Sequence, residues 1–162
     1  MQKNLILLFD SLRDPRDLAQ MIHLGLAANV DIELTGSSIP PTNQKVINII
    51  DSWILDFRNN INLKHVFIHN DFEKRIKALK RQGYEIIGTS PDKGSDFFSL
   101  DLSKGKHVIV FGTETSGLSK DKMNLMNKMA KIKMQNGTKF FTIGAIAPVF
   151  TYETLRQKNS IK

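Results

Sequence analysis

Short apolar runs alternate with segments of helical periodicity along the chain. Residues 4–9 (NLILLF) form a nearly all-apolar run, which is typical of a strand covered on both faces. Residues 18–28 repeat apolar side chains at helical spacing, and Asp14 and Pro15 favour a helix start just before them. Residues 30–34 (VDIEL) alternate as a half-buried strand does. These segments predict a strand, a helix and a strand in succession.

The rest of the chain continues this alternation. Residues 71–83 form the clearest helix, with Asp71 as a candidate cap and Gly83 at its end. The other predicted helices span residues 46–57 and about 144–157, and the other predicted strands span residues 65–69, 84–88, 107–111 and 130–134. This order indicates an α/β fold with a mostly parallel sheet and flanking helices. Ligands bind such sheets at the carboxyl ends of the strands, so chemistry is expected in the loops that follow strands.

Two features of the second half bear on packing. Pro148 must lie near the first turn of the last helix or kink it. Met123, Met126 and Met129 recur at three-residue spacing, which predicts packing or a subunit contact rather than a cofactor site.

The composition narrows the class of protein. The chain has 162 residues, of which 41% are hydrophobic, and no cysteine. Its length predicts one domain over residues 1–162. The lack of cysteine excludes a disulfide scaffold, a cysteine zinc site and a thiolate nucleophile, and no metal site is predicted. No apolar run is long enough for a membrane span or a signal peptide, so a cytoplasmic protein without membrane contact is expected.

The charge balance favours a polyanionic partner. Lysine and arginine number 23 against 16 acidic residues, which gives a net charge of +7. Such a surplus is typical of proteins that bind nucleic acid, and simple solubility is the alternative. Five of these cations lie within residues 74–81, where a solvated helix face and a phosphate-binding ridge both fit.

The loop at residues 112–117 (GTETSG) follows a predicted buried strand. Its terminal glycines allow backbone amides to approach a ligand closely, and its hydroxyls can cap the next helix. The loop matches neither GxxxxGK[ST] nor GxGxxG. From its chemistry alone, a plain turn and a ligand loop are both open interpretations.

Three segments taken together resemble the motifs of a known family. Residues 14–25 (DPRDLAQMIHLG) are similar to a first motif, N-P-x-N-x-G-x-x-x-R-T-A, and residues 111–118 (FGTETSGL) fit F-G-x-E-x-x-G-L closely. Residues 132–134 (IKM) and 152–153 (YE) fix the register of a third motif, which begins I-P-M and ends Y-E. Over almost its whole length, the chain resembles the SpoU/TrmH class of SPOUT methyltransferases.

This resemblance implies a fold and an activity. The C-terminal segment of the α/β domain is expected to thread a loop and form a deep trefoil knot. The expected reaction is transfer of a methyl group from S-adenosylmethionine to a ribose 2′-hydroxyl of tRNA or rRNA by a homodimer. No appended RNA-binding domain is expected, so the basic surface would hold the RNA, with Arg13, Arg16 and Lys139 as candidate contacts.

The family binds its cofactor in the knot, largely through backbone groups. Because backbone binding tolerates changes of side chain, the site is expected to survive here. Carried over to this sequence, the cofactor-binding positions are Thr89, Ser90, Gly112, Leu118, Ile132, Met134, Thr142 and Ile143.

The positions that carry catalysis in the family are altered. The family arginine that activates the ribose hydroxyl falls on His23, and the paired asparagines fall on Asp14 and Asp17. A neutral imidazole is a competent general base, and a carboxylate at position 14 or 17 could orient it. With Glu114 of the second motif, the predicted catalytic set is His23, Asp14, Asp17 and Glu114.

The third motif is altered as well, and it leaves alternatives open. Its serine and asparagine fall on Phe140 and Thr142, and the pair Phe140 and Phe141 could stack on a base or pack the knot. One alternative to the enzyme is a catalytically degenerate protein of the same fold that binds RNA or S-adenosylmethionine. Another is a generic phosphate- or nucleotide-binding α/β domain.

Overall fold

The computed structural model describes residues 3–59 and 61–159. Seven strands form one sheet in which every paired strand is parallel to its neighbour. The strands are β1 (Leu5–Asp10), β2 (Asp31–Thr35), β3 (Val66–Ile68), β4 (Tyr84–Thr89), β5 (Ser95–Asp96), β6 (Lys106–Phe111) and β7 (Lys128–Lys131). Their order across the sheet is β3-β2-β1-β6-β4-β7-β5. The predicted α/β class with a parallel sheet is confirmed.

Helices cover both faces of the sheet, and each face has its own hydrophobic core. The helices are α1 (Pro15–Ala28), α2 (Gln44–Asp51), α3 (Phe72–Arg81), α4 (Lys120–Met123) and α5 (Ile143–Gln157). Alternate residues of the fully buried β1 point to opposite faces: Leu7 joins the core under α1, α2 and α5, and Leu8 joins the core under α3. The methionine stripe packs at the edge of the second core, as expected of a packing feature.

The beginnings of two helices follow the sequence signals. Asp14 caps α1 by accepting hydrogen bonds from the backbone N–H groups of Arg16 and Asp17. Asp71 caps α3 in the same way through the N–H of Lys74. A capping carboxylate pairs N–H groups that have no partner within the helix, so these two aspartates fix where the helices begin.

Two element boundaries and the place of one proline differ from the prediction. The helix predicted to reach residue 57 ends at Asp51, whose carboxylate accepts the N–H of Arg58 at 2.7 Å and folds the chain back. The strand predicted at 130–134 is β7, two residues earlier, because its register is set by pairing with β4 and β5. Pro148 lies inside α5 rather than in its first turn.

The last third of the chain is interleaved with the middle third. β7 lies between β4 and β5, although β4 and β5 follow each other along the chain. The segment after β5 packs on α5: the rings of Phe97 and Phe150 are 4.1 Å apart, and Gln157 Oε1 accepts the N–H of Leu102 at 2.7 Å. These are contacts that a threaded C-terminal segment would make, and the deep trefoil knot itself stays a prediction.

None of the helices within the described residues combines the length and the apolar character needed to cross a bilayer. The two exposed sheet edges are the short strands β3 and β5.

Candidate active site

A cavity of about 280 Å³ opens at the carboxyl end of the sheet, where α/β proteins bind ligands. Its walls come from the loops that follow β4, β6 and β7 and from the start of α5. Seven of the eight predicted cofactor positions line it: Thr89, Ser90, Gly112, Ile132, Met134, Thr142 and Ile143.

Leu118 is the exception among these positions. Its side chain is 3% exposed and belongs to the core under α3, so it does not line the cavity. The resemblance implied contacts through backbone groups, and the backbone N of Leu118 lies 2.2 Å from where a Cβ of Gly112 would be, so its part in cofactor binding stays a prediction.

Backbone hydrogen bonds close the 112–117 loop on itself. Thr113 and Gly117 exchange N–H···O bonds of 3.2 and 3.0 Å, and the hydroxyls of Thr113 and Ser116 are 2.7 Å apart. At Gly112, a Cβ would lie 2.1 Å from the carbonyl carbon of Gly117, so only glycine fits there. The loop is thus a closed turn that also lines the cavity, and its role as a ligand loop stays a prediction.

Glu114 ties this loop to the start of α1. Its Oε1 accepts the backbone N–H groups of Arg13 at 2.9 Å and of Asp14 at 3.2 Å. Asp14 in turn uses its carboxylate to cap the helix. Both carboxylates are therefore engaged in holding the first turn of α1 against the cavity.

The carboxylate of Asp17 lies where two depressions meet. Asp17 lines the cavity and also a more open depression of about 520 Å³ between the start of α1 and α2, which Arg16, Lys45 and Asn48 line as well. Burial raises the pKa of Asp17, the nearby Asp14 and Glu114 carboxylates raise it further, and Arg16 lowers it. Of the four predicted catalytic residues, Asp17 lines both depressions, whereas Glu114 lines only the cavity and Asp14 only the open depression.

His23 lies elsewhere. Its side chain is exposed, and its ring contacts that of Trp53, with centroids 5.7 Å apart and a 32° tilt. Residues six apart on a helix do not face each other, so α1 holds His23 away from Asp17. Within residues 3–59 and 61–159, His23 lines neither depression and has no hydrogen-bonded carboxylate, so the predicted contact with Asp14 or Asp17 is wrong.

The three side chains predicted to contact RNA differ in their surroundings. The Arg13 guanidinium donates to Ser37 Oγ at 3.0 and 2.7 Å. Arg16 is exposed in the open depression, and Lys139 is exposed in the loop before α5.

Four apolar lining residues lie outside the predicted set: Pro91, Phe111, Ile146 and Phe150. Ile146 and Phe150 follow Ile143 at helical spacing, so the periodicity of α5 could have placed them on one wall. Pro91 follows the predicted Ser90 and carried no signal of its own.

A family model described as the SpoU rRNA Methylase family matches residues 4–141. Over 109 residues the chain is 31% identical to a Bacillus subtilis protein provisionally assigned as a tRNA (cytidine(34)-2′-O)-methyltransferase, a match that covers 65% of this chain and 64% of that protein. Over 156 residues it is 23% identical to a provisionally assigned TrmH family tRNA/rRNA methyltransferase of Staphylococcus saprophyticus, which covers 96% and 60%. The chain thus spans less than two thirds of the length of these relatives.

Solved structures share the fold. An AdoMet-bound rRNA methyltransferase from Sinorhizobium meliloti superposes with a TM-score of 0.80 at 19% identity, over 96% of this chain and 57% of that one. A structure solved in work on the 2-OH methylation of C/U34 on tRNA gives a TM-score of 0.81 at 18% identity, over 97% of both chains.

Proposed function

The chain belongs to the SpoU rRNA methylase family, and we propose that it is an S-adenosylmethionine-dependent RNA 2′-O-ribose methyltransferase acting on tRNA or rRNA. The observation that carries this proposal is the place of Asp17, a carboxylate shared by a cofactor-sized cavity and an open depression beside it. Methyl transfer requires this arrangement of two adjoining sites with a proton acceptor between them.

The lining of the cavity fits S-adenosylmethionine. Ile132, Met134 and Ile143 offer an apolar wall for the adenine ring, and the hydroxyls of Thr89 and Ser90 offer partners for polar groups. Carboxylates at the same cavity complement a cationic cofactor. When bound, the cofactor supplies an electrophilic methyl group.

The task of the chain is to hold a ribose hydroxyl and to take up its proton as the oxygen becomes methylated. We assign this proton to Asp17, because a carboxylate with a raised pKa is a stronger base than an ordinary one. Asp14 and Glu114 are positioning residues that fix the turn carrying Asp17. His23, which replaces the family arginine, lies beside Trp53 and is not assigned the proton.

RNA is the proposed acceptor. The net charge of +7 favours a polyanion, and two relatives are named for tRNA or rRNA methylation. Arg16 and Lys139 are placed to meet phosphates at the open depression and at the loop before α5, with Arg13 behind them. We place the protein in the cytoplasm with these RNAs and expect a homodimer, which light scattering of the purified protein would test.

Tritium transfer from labelled S-adenosylmethionine to bulk tRNA and rRNA tests the proposal, followed by digestion and mass spectrometry of the nucleosides. The expected product is a 2′-O-methylnucleoside. Methyl groups found on bases would contradict the ribose assignment.

One alternative keeps the fold without the reaction. The departures from the family motifs at His23, Asp17 and Phe140 favour a protein that binds RNA or cofactor without turnover. Cofactor binding in the absence of methyl transfer to every RNA pool would support this alternative.

A further inference from the structure

The basic run at residues 74–81 lines neither the cavity nor the open depression. It forms most of α3, and the ten residues of this helix include five cations and one acid. α3 covers the face of the sheet opposite to α1, α2 and α5. The sequence allows a solvated helix face or a phosphate-binding ridge here, and the contacts of the side chains show which of the cations a ligand could reach.

One arginine of α3 is occupied inside the fold. The Arg75 guanidinium donates to both carboxylate oxygens of Glu33, a side chain only 2% exposed on β2. His69 Nε2 lies 3.3 Å from the same carboxylate. Arg75 therefore ties α3 to the sheet and is not available to a ligand.

The other four cations of α3 are exposed. Within the described parts of the chain, no acid is paired with the side chains of Lys74, Lys80 and Arg81. Lys77 forms a surface ion pair with Glu73, four residues earlier. Because such a pair contributes little to stability, Lys77 can exchange its partner for a phosphate. The helix thus presents a surplus of positive charge to solvent.

Three of these cations lie in one line along the helix. Each residue turns an α-helix by about 100°, so Lys74, Lys77 and Arg81, spaced three and four apart, lie within about 60° of each other. We call these three residues the crest of α3. The crest rises about 10 Å along the axis, a length that matches a few successive phosphates of one nucleic acid strand. The buried side chains of the helix point the opposite way, into the core: Phe72, Ile76 and Leu79.

The crest begins near the edge of the sheet at which the cavity opens. α3 follows the carboxyl end of β3, so Lys74 in its first turn lies near that edge and Arg81 lies towards the opposite edge. α4 follows the 112–117 loop, which lines the cavity, and contacts the start of α3: Lys122 Nζ lies 4.8 Å from the centre of the Phe72 ring. The surface of the protein therefore leads from the cavity across α4 to the crest.

We infer that the crest binds the phosphate backbone of RNA away from the acceptor site, on the other face of the sheet, so that the substrate is a folded RNA large enough to reach from the cavity to α3. The inference rests on the proposed RNA function and locates a second contact of the same substrate. A helix that binds a membrane surface needs an exposed apolar face, whereas the apolar stripe of α3 is buried. The crest fits a polyanion that is held by charge.

Fluorescence anisotropy of labelled bulk tRNA over a range of salt concentrations tests the inference. Lys74→Ala/Arg81→Ala removes two cations of the crest, and alanine maintains the helix. We expect the affinity to fall by about 10- to 50-fold and the slope of log affinity against log salt to become shallower by about two. Lys74→Arg/Arg81→Lys keeps both charges and should bind tRNA as the wild type does.

The matched control is Lys64→Ala/Arg156→Ala, which also removes one lysine and one arginine. Both side chains are exposed away from the crest, Lys64 in the loop before β3 and Arg156 on α5, where it pairs with Glu153. This variant should keep the affinity and the salt slope of the wild type. An equal loss in the control would overturn the inference, since the net charge alone would then account for the effect.

Two further results would overturn the inference and leave the proposed function intact. One is tRNA affinity and a salt slope in Lys74→Ala/Arg81→Ala equal to those of the wild type. The other is unchanged tRNA binding together with lost binding to phosphatidylserine-containing vesicles, which would assign the crest to a membrane surface. A wild type that binds neither bulk tRNA nor bulk rRNA would instead contradict the proposed function, and the inference with it.

Discussion

The two sides of the cavity are built from different parts of the chain. On the cofactor side, strand ends and the 112–117 loop supply mainly backbone, and the close approach of Gly112 to Gly117 fixes its shape. On the acceptor side, the first turn of α1 supplies charged side chains, of which Asp17 reaches both depressions. Backbone geometry survives most substitutions, whereas proton transfer depends on single groups.

The largest effect on cofactor binding is expected at Gly112, where the neighbouring backbone leaves no space for a side chain. Gly112→Ala would place a methyl group 2.1 Å from a backbone carbon, so the 112–117 loop must open. We expect loss of measurable S-adenosylhomocysteine binding by calorimetry and destabilisation by about 1–3 kcal/mol.

Gly105→Ala is the control for this variant. Unlike Gly112, Gly105 has a positive φ of 81°, but a Cβ there would meet nothing within 4 Å. It should cost about 1–2 kcal/mol of backbone strain and leave cofactor binding intact. Unaltered binding by Gly112→Ala would show that the loop does not shape the site.

The next largest effect separates the two candidate bases. Asp17→Asn should lower the methyl-transfer rate by about 10²-fold, the usual contribution of a general base, with the affinity for S-adenosylhomocysteine, which lacks the sulfonium charge, unchanged. His23→Gln should retain nearly the full rate, because His23 lies beside Trp53 outside the cavity. The reverse pattern, a lost methyl-transfer rate in His23→Gln and a retained rate in Asp17→Asn, would identify His23 as the base.

The resembled family pattern offers a rescue. Asp17→Asn combined with His23→Arg restores the asparagine and arginine of the first motif. The residues at positions 17 and 23 could have changed together, with the role of proton acceptor passing from position 23 to position 17. In that case the double variant should recover the activity that Asp17→Asn alone has lost. Activity no higher than in the single variant would argue against such coupling.

A pH profile gives a smaller and more graded effect. A base must be deprotonated, so the rate should rise with pH and level off above the pKa of Asp17, which burial and the neighbouring carboxylates raise above 3.8. Below that pKa the rate should fall about tenfold per pH unit. His23→Gln should show the same profile, and an inflection that vanishes in this variant would contradict the assignment.

The smallest effect is expected at Glu114. Glu114→Gln keeps an oxygen that can accept the N–H groups of Arg13 and Asp14, but it loses the charge that strengthens these bonds. We expect stability to fall by about 1 kcal/mol and the rate by severalfold. A loss as large as that of Asp17→Asn would mean that Glu114 itself acts on the substrate.

Sequence patterns predicted the sheet, and seven of the eight positions expected to bind the cofactor line the cavity, for a physical reason. Buried strands such as β1 and the glycines of the 112–117 loop are set by burial and backbone sterics, which leave local signals. The side-chain arrangement at the acceptor side depends on how helices meet. Nothing near His23 in the sequence shows that its ring contacts Trp53, and nothing near Arg13 shows that Glu114 accepts its backbone N–H.

The most direct test of the central claim is calorimetric titration of S-adenosylhomocysteine into the wild type and Asp17→Asn. The cavity built from backbone predicts saturable binding at micromolar or tighter affinity, equal in both proteins. No heat of binding in either protein, with bulk tRNA absent or present, would contradict the claim that this cavity holds the cofactor.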